Sequence, residues 1–375
     1  MRKTQRTFLL IARLLFGLTF LFSGFVKAVD PLGTAYKITD YFEAFGIPSF
    51  DMLSVVCAFL LITVEFCIGF AICFNAKLKL ASQLAAVFML VMTPLTLYLA
   101  LANPVSDCGC FGDAIVLTNW ETFYKNVVLC VLLLVIMVLE KYNRPWLSEL
   151  GSWMFIGLAA LASLGMCTYG YTHLPILDFR PYKVGNSIQE GMTIPEDAPM
   201  DEYKTTFVYA KDGVEQEFTL ENYPADDSTW VFVRQQTQLV KQGYVPPIHD
   251  FSIVTEDAGD ITDIVLDTPG YTLLIISHKL EKIHEESVSK VQQIAQALMT
   301  KSVPTYWLTS TYIEEVEAFK KAYQIQQPFG ATDDITLKTI IRSNPGLVLL
   351  KQGTVVAKWH YNDLPEISAI YQLLN

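Results

Sequence analysis

Two cysteines separated by one glycine, in Asp107-Cys108-Gly109-Cys110-Phe111-Gly112-Asp113, are the residues of this chain whose types and spacing most directly offer chemistry. Thiols one residue apart close a small disulfide only if the backbone bends enough to bring their Cβ atoms within bonding range, and the intervening glycine permits that bend. So small a ring is expected to be strained and readily reduced, and strained or exposed disulfides are the ones used for exchange. A lysine beside a thiol raises its thiolate fraction. Lys27, in Ser23-Gly24-Phe25-Val26-Lys27-Ala28-Val29-Asp30-Pro31, is the candidate for that role, with interfacial anchoring as its alternative.

These residues need a membrane to position them. The chain of 375 residues is 52% hydrophobic and 17% charged, too apolar for an ordinary soluble protein and long enough for two units. Apolar runs at about 8–26, 50–74, 78–101, 123–139 and 152–171 each suit a hydrocarbon core of about 30 Å, giving five spans. The first follows Arg2, Lys3 and Arg6, but it exceeds a signal-peptide core, lacks a cleavage site and precedes further spans, so it is expected to stay. The segment 23–31 is expected to be a turn at its outer end. Lysines and arginines cluster before the first span, at Lys77 and Lys79, and at Lys141 and Arg144. The positive-inside rule then places the amino terminus in the cytoplasm, and the cysteine loop and everything after residue 171 outside an inner membrane. A disulfide persists in such a compartment.

All seven cysteines lie in the first half, at positions 57, 67, 73, 108, 110, 130 and 167, so no disulfide framework staples the soluble half. A lone cysteine in a span is ordinarily a small hydrophobe. Cys57 and Cys130, each on the order of 10 Å below the outer surface, are the candidates for a second thiol pair. Arg13 and Glu65 are ionisable residues within spans, where charges usually find a partner, and they are expected to form a structural ion pair. Pro94 is expected to kink the third span. The net charge of −11 comes mainly from the cysteine-free half and argues against nucleic-acid binding.

In the soluble half, 207–210 and 214–218 read as a hairpin joined by Asp212-Gly213, and 230–234 as a further strand. From Ile248 the pattern runs strand 271–276, helix 281–299, strand 304–308, helix 313–323, strands 346–350 and 354–359 about the turn Gln352-Gly353, and a last helix. The expected domains are 1–145, a four-helix transmembrane unit; 146–172, a fifth span; 173–247, an extracytoplasmic linker with short strands; and 248–375, an α/β domain.

The 23–31 segment, Glu65 followed by Gly69, and Cys108-Gly109-Cys110-Phe111-Gly112 resemble the DoxX-like membrane proteins, specifically the methylamine-utilisation MauE branch, over roughly residues 8–142. The resemblance implies a redox-associated membrane protein that handles disulfides or matures exported proteins; it does not imply methylamine as a substrate. The element order from 248 resembles thioredoxin. Pro345 then stands where that family commonly has a cis-proline, and Ser277-His278-Lys279-Leu280 stands where its Cys-x-x-Cys would be, so the domain is expected to dock or shield rather than exchange thiols. His278 and His284, six apart, do not have a metal-ligand spacing on one helical face.

The fold class expected is therefore an α-helical membrane bundle followed by a thioredoxin-like domain. Three functions compete: a thiol–disulfide relay using Cys108 and Cys110 on an exported protein client; a non-enzymatic assembly factor with a static disulfide; and metal handling, which two thiolates are too few to close. No cofactor is expected, and the partners are the client and membrane lipid.

Overall fold

The computed structural model describes residues 2–48, 51–105, 107–224, 227–241 and 243–374. Helices α1 (Arg2–Val29), α2 (Pro31–Ala44), α3 (Asp51–Cys73), α4 (Leu78–Ala102), α5 (Asn119–Leu139) and α6 (Glu149–Thr172) form the membrane half. Five of them, all but α2, are long and apolar enough to cross a bilayer. The expected start at Phe50 lies outside the described residues. Segment 23–31 is not a turn: α1 continues to Val29, and the break comes at Asp30, whose side chain accepts from the Gly33 amide and caps α2 ahead of Pro31.

The two central helices approach closely because glycines face backbone. A Cβ on Gly69 would stand 2.5 Å from the Leu21 nitrogen, and one on Gly17 would meet Cys73 Sγ at 2.6 Å. In lipid, where association relies on packing rather than water exclusion, small residues at a crossing allow this contact. The antiparallel register that results sets Arg13 against the end of α3 and Lys27 against its middle.

Arg13 and Glu65 therefore do not pair. Arg13 Nε and Nη2 donate to the carbonyls of Ile72 and Cys73, both at 3.0 Å, and the guanidinium lies 5.0 Å from the Trp146 ring. A cation there meets the negative end of α3. Glu65 lies seven residues earlier, about 10 Å along the helix, against Lys27. Counting depth from the start of α3 failed because its first turns run beside α2, where Thr39 donates to Ser54 at 2.8 Å. Glu65 thus sits at the level of the C-terminal end of α1, not in the opposite third of the bundle.

The α/β core takes in residues ahead of the start expected for that domain at 248. Within 173–247, Tyr182 and Ile188 are buried in the α/β core, and backbone bonds tie Gly185 and Asn186 to Val355 and Ile188 to Gly353. Only the strands β1 (Glu202–Lys211), β2 (Val214–Thr219) and β3 (Val231–Lys241), after the short helix α7 (Ile188–Met192), stand apart as an antiparallel sheet in the order β2-β1-β3. Asp212 and Gly213, both at positive φ, close its hairpin as the Asp-Gly signal implies.

The larger sheet comprises β4 (Val254–Thr255), β5 (Gly259–Asp260), β6 (Tyr271–Ile276), β7 (Thr305–Thr309), β8 (Phe329–Ala331), β9 (Gly346–Lys351) and β10 (Thr354–His360), in the order β10-β9-β6-β7-β8-β4-β5. Helices α8 (Thr262–Leu266), α9 (Glu285–Met299), α10 (Ile313–Tyr323), α11 (Asp334–Ile340) and α12 (Ile367–Leu374) connect or flank the strands. β6 and β7 are parallel, joined through α9, and β9 and β10 close antiparallel. This succession, with a cis Asn344–Pro345 bond ahead of β9, is thioredoxin-like. β6 reads as one apolar run because both faces are covered: Leu274 and Ile276 enter one core, Leu273 and Ile275 the other.

Candidate functional site

The loop between α4 and α5 carries Cys108 and Cys110, and its two glycines shape it. Gly109 at φ +64° and Gly112 at φ +52° occupy the left-handed region, and the Gly112 amide donates to the Gly109 carbonyl at 3.1 Å. The Asp107 carboxylate accepts from the Gly109 amide at 2.8 Å and pairs with Lys37 at 2.8 Å. The Tyr41 hydroxyl donates to the Cys108 carbonyl at 2.9 Å. So anchored, the loop holds the two sulfurs 2.7 Å apart.

Beneath the loop the Ser23 hydroxyl donates to the Cys110 carbonyl and accepts from Lys27 Nζ at 3.1 Å. Lys27 Nζ in turn lies 2.7 Å from Glu65 Oε2, and both side chains are buried. A buried charge persists when paired and hydrogen-bonded. The pair, Cys110, Lys125 and Asn126 surround a cavity of about 30 Å³. Lys125 Nζ lies 4.5 Å from the centre of the Phe111 ring, and Phe111 packs on Phe22 at 5.6 Å.

The two thiols are electrostatically unequal. The contact with the Cys108 sulfur, with Lys125 and Lys27 acting against the cost of burial, brings the pKa of Cys110 down to about 6. Cys108 is pushed well above the ordinary thiol range by the same contact and by burial. The arrangement presents one thiolate and one protonated thiol, the asymmetry that exchange uses. Lys27 therefore acts from below through Ser23 and at a distance, while Lys125 is a second cation that composition alone could have flagged: it is a lysine within an apolar span.

The structure separates Cys57 from Cys130. Cys130 Sγ lies 3.4 Å from Thr93 Oγ1 of α4, and Cys57 is on α3, which packs against α1, α2, α4 and α6. Both are free thiols, so they form no second pair. Pro94 lies within α4, which runs unbroken through it.

The thioredoxin-like domain stands on the same end of the bundle as the cysteine loop. Arg342, three residues before cis-Pro345, reaches Asp30 at 2.9 Å and Asp113 at 3.3 Å, and lies 5.3 Å from the Tyr36 ring. Burial opposes ionisation of Asp30, yet Arg342 and Arg180 outweigh it and lower its pKa. Asp113, whose burial outweighs Arg342, is raised. On the domain side the segment that meets Asn344 is 279–284: Asn344 Nδ2 donates to the Lys279 carbonyl at 2.8 Å, and the His284 amide to the Asn344 carbonyl at 2.9 Å. The position facing cis-Pro345 is thus slightly later than Ser277-His278-Lys279-Leu280, and it too is without cysteine. His284 stacks on Tyr361 at 4.3 Å, and His278 is buried between β6 and the loop after β7, its pKa lowered to about 4 by burial and by Lys338. Among the described residues no cluster of three or more ligating side chains could hold a metal ion.

Residues 5–139 match the family model described as methylamine utilisation protein MauE, and residues 203–242, the three-stranded sheet, match one described as a domain of unknown function, DUF8463. No curated protein matches the chain. Among solved structures, a candidate protein disulfide isomerase from Bacteroides thetaiotaomicron is 17% identical, with 34% of this chain and 84% of that one covered and a TM-score of 0.28. A thioredoxin-like protein from Bacteroides caccae ATCC 43185 is 11% identical, with 84% and 82% covered and a TM-score of 0.23. Residues 5–139 are thus similar to the MauE family, and the α/β domain that follows, thioredoxin-like in its order of elements, has no cysteine of its own.

Proposed function

We propose that this protein is a membrane thiol–disulfide relay that exchanges disulfides with exported proteins, or matures them, through Cys108 and Cys110. The observation that carries the reading is the pair itself: two sulfurs 2.7 Å apart in a loop pinned from four directions, one of them with its pKa lowered to about 6. Cys110, as thiolate, attacks a sulfur of the partner's disulfide and forms a mixed disulfide, which Cys108 resolves. Lys27 and Lys125 stabilise the thiolate, and Glu65 keeps Lys27 charged inside the bundle. The cysteine-free domain presents the client, since fold without sulfur supports binding and not exchange. The MauE match supports a redox-associated membrane role, and the DoxX-like features of the 23–31 segment belong to the same proposal. The distribution of Lys and Arg supports an inner-membrane orientation with the loop and the domain outside.

Trapping tests it. A Cys108→Ser variant keeps the nucleophile, lacks the resolving thiol and is expected to accumulate a mixed disulfide with an exported protein, visible as a reducible adduct on non-reducing gels. Cys110→Ser is expected to accumulate far less. Absence of an adduct from both variants overturns the relay, and a pair that stays oxidised through mild reductant supports instead the assembly factor with a static disulfide.

A further inference from the structure

Three of the chain's five histidines gather where α6 meets the α/β domain. His173, just past the last turn of α6, stacks on Tyr169 with ring centres 4.7 Å apart. His360, at the end of β10, lies 6.4 Å from His173 and 4.1 Å from Tyr361, and Tyr361 stacks on His284 at 4.3 Å. The column thus runs from the membrane bundle across the joint to the residue whose amide holds the Asn344 carbonyl beside cis-Pro345. Asn362 makes a direct bond over the same joint, its Nδ2 donating to the Thr172 carbonyl at 2.7 Å. Its backbone is held by His360, whose Nδ1 accepts from the Asn362 amide at 3.1 Å.

That last bond fixes the charge of the ring. A nitrogen that accepts an N–H carries no proton, so His360 is neutral here, whereas an imidazolium donates from both nitrogens and would set one N–H against another. Nothing around His360 favours the cation. It is 1% exposed, and the titratable groups about it are Tyr169, Tyr171 and His173 from the end of α6, His284 ahead of α9, and Tyr361 and Asp363 from its own loop. Asp363, the one carboxylate among these, lies 3.6 Å from His173 Nε2 instead. Burial, then His173 and His284, lower the pKa of His360 to about 4.

We propose that His360 is an acid-sensitive latch: its protonation breaks the Asn362 bond and releases the thioredoxin-like domain from the end of α6. The inference stands whether or not Cys108 and Cys110 exchange disulfides. The docked ring stays neutral down to about pH 4, while a ring exposed by release titrates at the ordinary 6.5. Docking is therefore at full strength above the ordinary value and weakens as pH falls from 6.5 towards 4, one proton being taken up on release. From these two values the ratio of released to docked molecules rises about thirtyfold between pH 7.5 and pH 5. Charging of His173 acts the other way through Asp363, but that pair is 35% and 47% exposed and adds little. Asp30, whose pKa Arg342 lowers, stays ionised throughout this range, so the domain remains tethered at Arg342.

Hydrogen exchange on the full-length protein in lipid nanodiscs, read at pH 7.5 and pH 5 with each rate divided by the intrinsic rate of the same peptide at that pH, tests the latch. Peptides covering 172–176 and 360–364 are expected to exchange about thirtyfold faster at pH 5, with β6 unchanged. His360→Asn offers the Asn362 amide an acceptor oxygen but no titratable nitrogen, and its normalised exchange is expected to change less than threefold between the two pH values. His284→Gln removes a neighbour that disfavours the charged ring and should move the transition to higher pH. A change below threefold in the parent protein, an acid response that survives His360→Asn, or an equal acceleration of β6 overturns the proposal. Should His360→Asn already exchange fast at pH 7.5, His284→Gln decides, and a transition that it leaves in place overturns the latch.

Discussion

Arg342→Gln should loosen the thioredoxin-like domain from the cysteine loop by a calculable amount. The guanidinium meets Asp30 at 2.9 to 3.2 Å, with side-chain exposures of 6% and 16%, and Asp113, 44% exposed, at 3.3 Å. Removing one partner of a buried pair costs about 3–5 kcal/mol, because the other charge is left without compensation. The more exposed Asp113 contact adds at most about 1 kcal/mol. Taking about 3 kcal/mol for the whole, and about 1.4 kcal/mol per factor of ten, the ratio of undocked to docked molecules rises roughly a hundredfold. Hydrogen exchange on the full-length protein in nanodiscs reads this directly, since amides protected by docking exchange through the undocked state. Peptides covering 30–36 and 107–117 should exchange roughly a hundredfold faster, with β6 unchanged. The double variant Arg342→Gln/Asp30→Asn should recover part of the protection, as the orphaned carboxylate is gone. Acceleration below about threefold at 30–36 in a folded variant would show that the ion pair does not hold the two halves together.

Alkylation of the reduced protein by iodoacetamide should rise with pH through a midpoint near 6 and label Cys110 before Cys108; Lys125→Met should move that midpoint upward, and a midpoint near the ordinary thiol range in the parent protein would contradict the asymmetry. Glu65→Gln leaves Lys27 charged and unpaired in the bundle and should cost about 3–5 kcal/mol in thermal-aggregation assays, whereas Lys27→Met/Glu65→Leu should lose far less stability while depressing exchange. Gly69→Val forces side-chain atoms into the α1 backbone and should destabilise the bundle by about 1–3 kcal/mol or more, readable as loss of folded protein after detergent extraction; a neutral outcome would mean that the helices do not cross there.

The elements that the sequence revealed are those with a long or doubly buried apolar run. The five spans and β6 need no context to be recognised, because lipid or two core layers demand continuous hydrophobicity. α2 was hidden: its sequence, Pro31–Ala44, mixes polar and apolar residues and half faces α3 and the soluble domain. β8, with three residues, is too short to carry a period, and Tyr182 and Ile188 are isolated apolar positions in a polar stretch, so 180–192 read as linker. At the site, the cysteines, Gly109 and Lys27 were visible from residue type alone, and the cis-Pro345 position from the resemblance of the element order to thioredoxin. Their partners were not: which carboxylate meets Lys27 depends on the antiparallel register of α1 and α3, and that register is set by Gly17, Gly24 and Gly69, whose effect appears only when two helices are placed together. Arg342 and Asp30 lie 312 positions apart, and nothing local in either segment announces the other.

The stems of the three-stranded sheet meet. Ile248 donates to the Gly191 carbonyl at 3.0 Å, and Tyr244 to the Pro199 carbonyl at 2.7 Å, so the chain leaves the α/β core and returns to it at almost the same point. A segment grafted in this way can be shortened, exchanged or lost in descent without rethreading the body that bears it. Its exposed strands can therefore change whatever they touch while the cysteine-loop end of the molecule is left as it was.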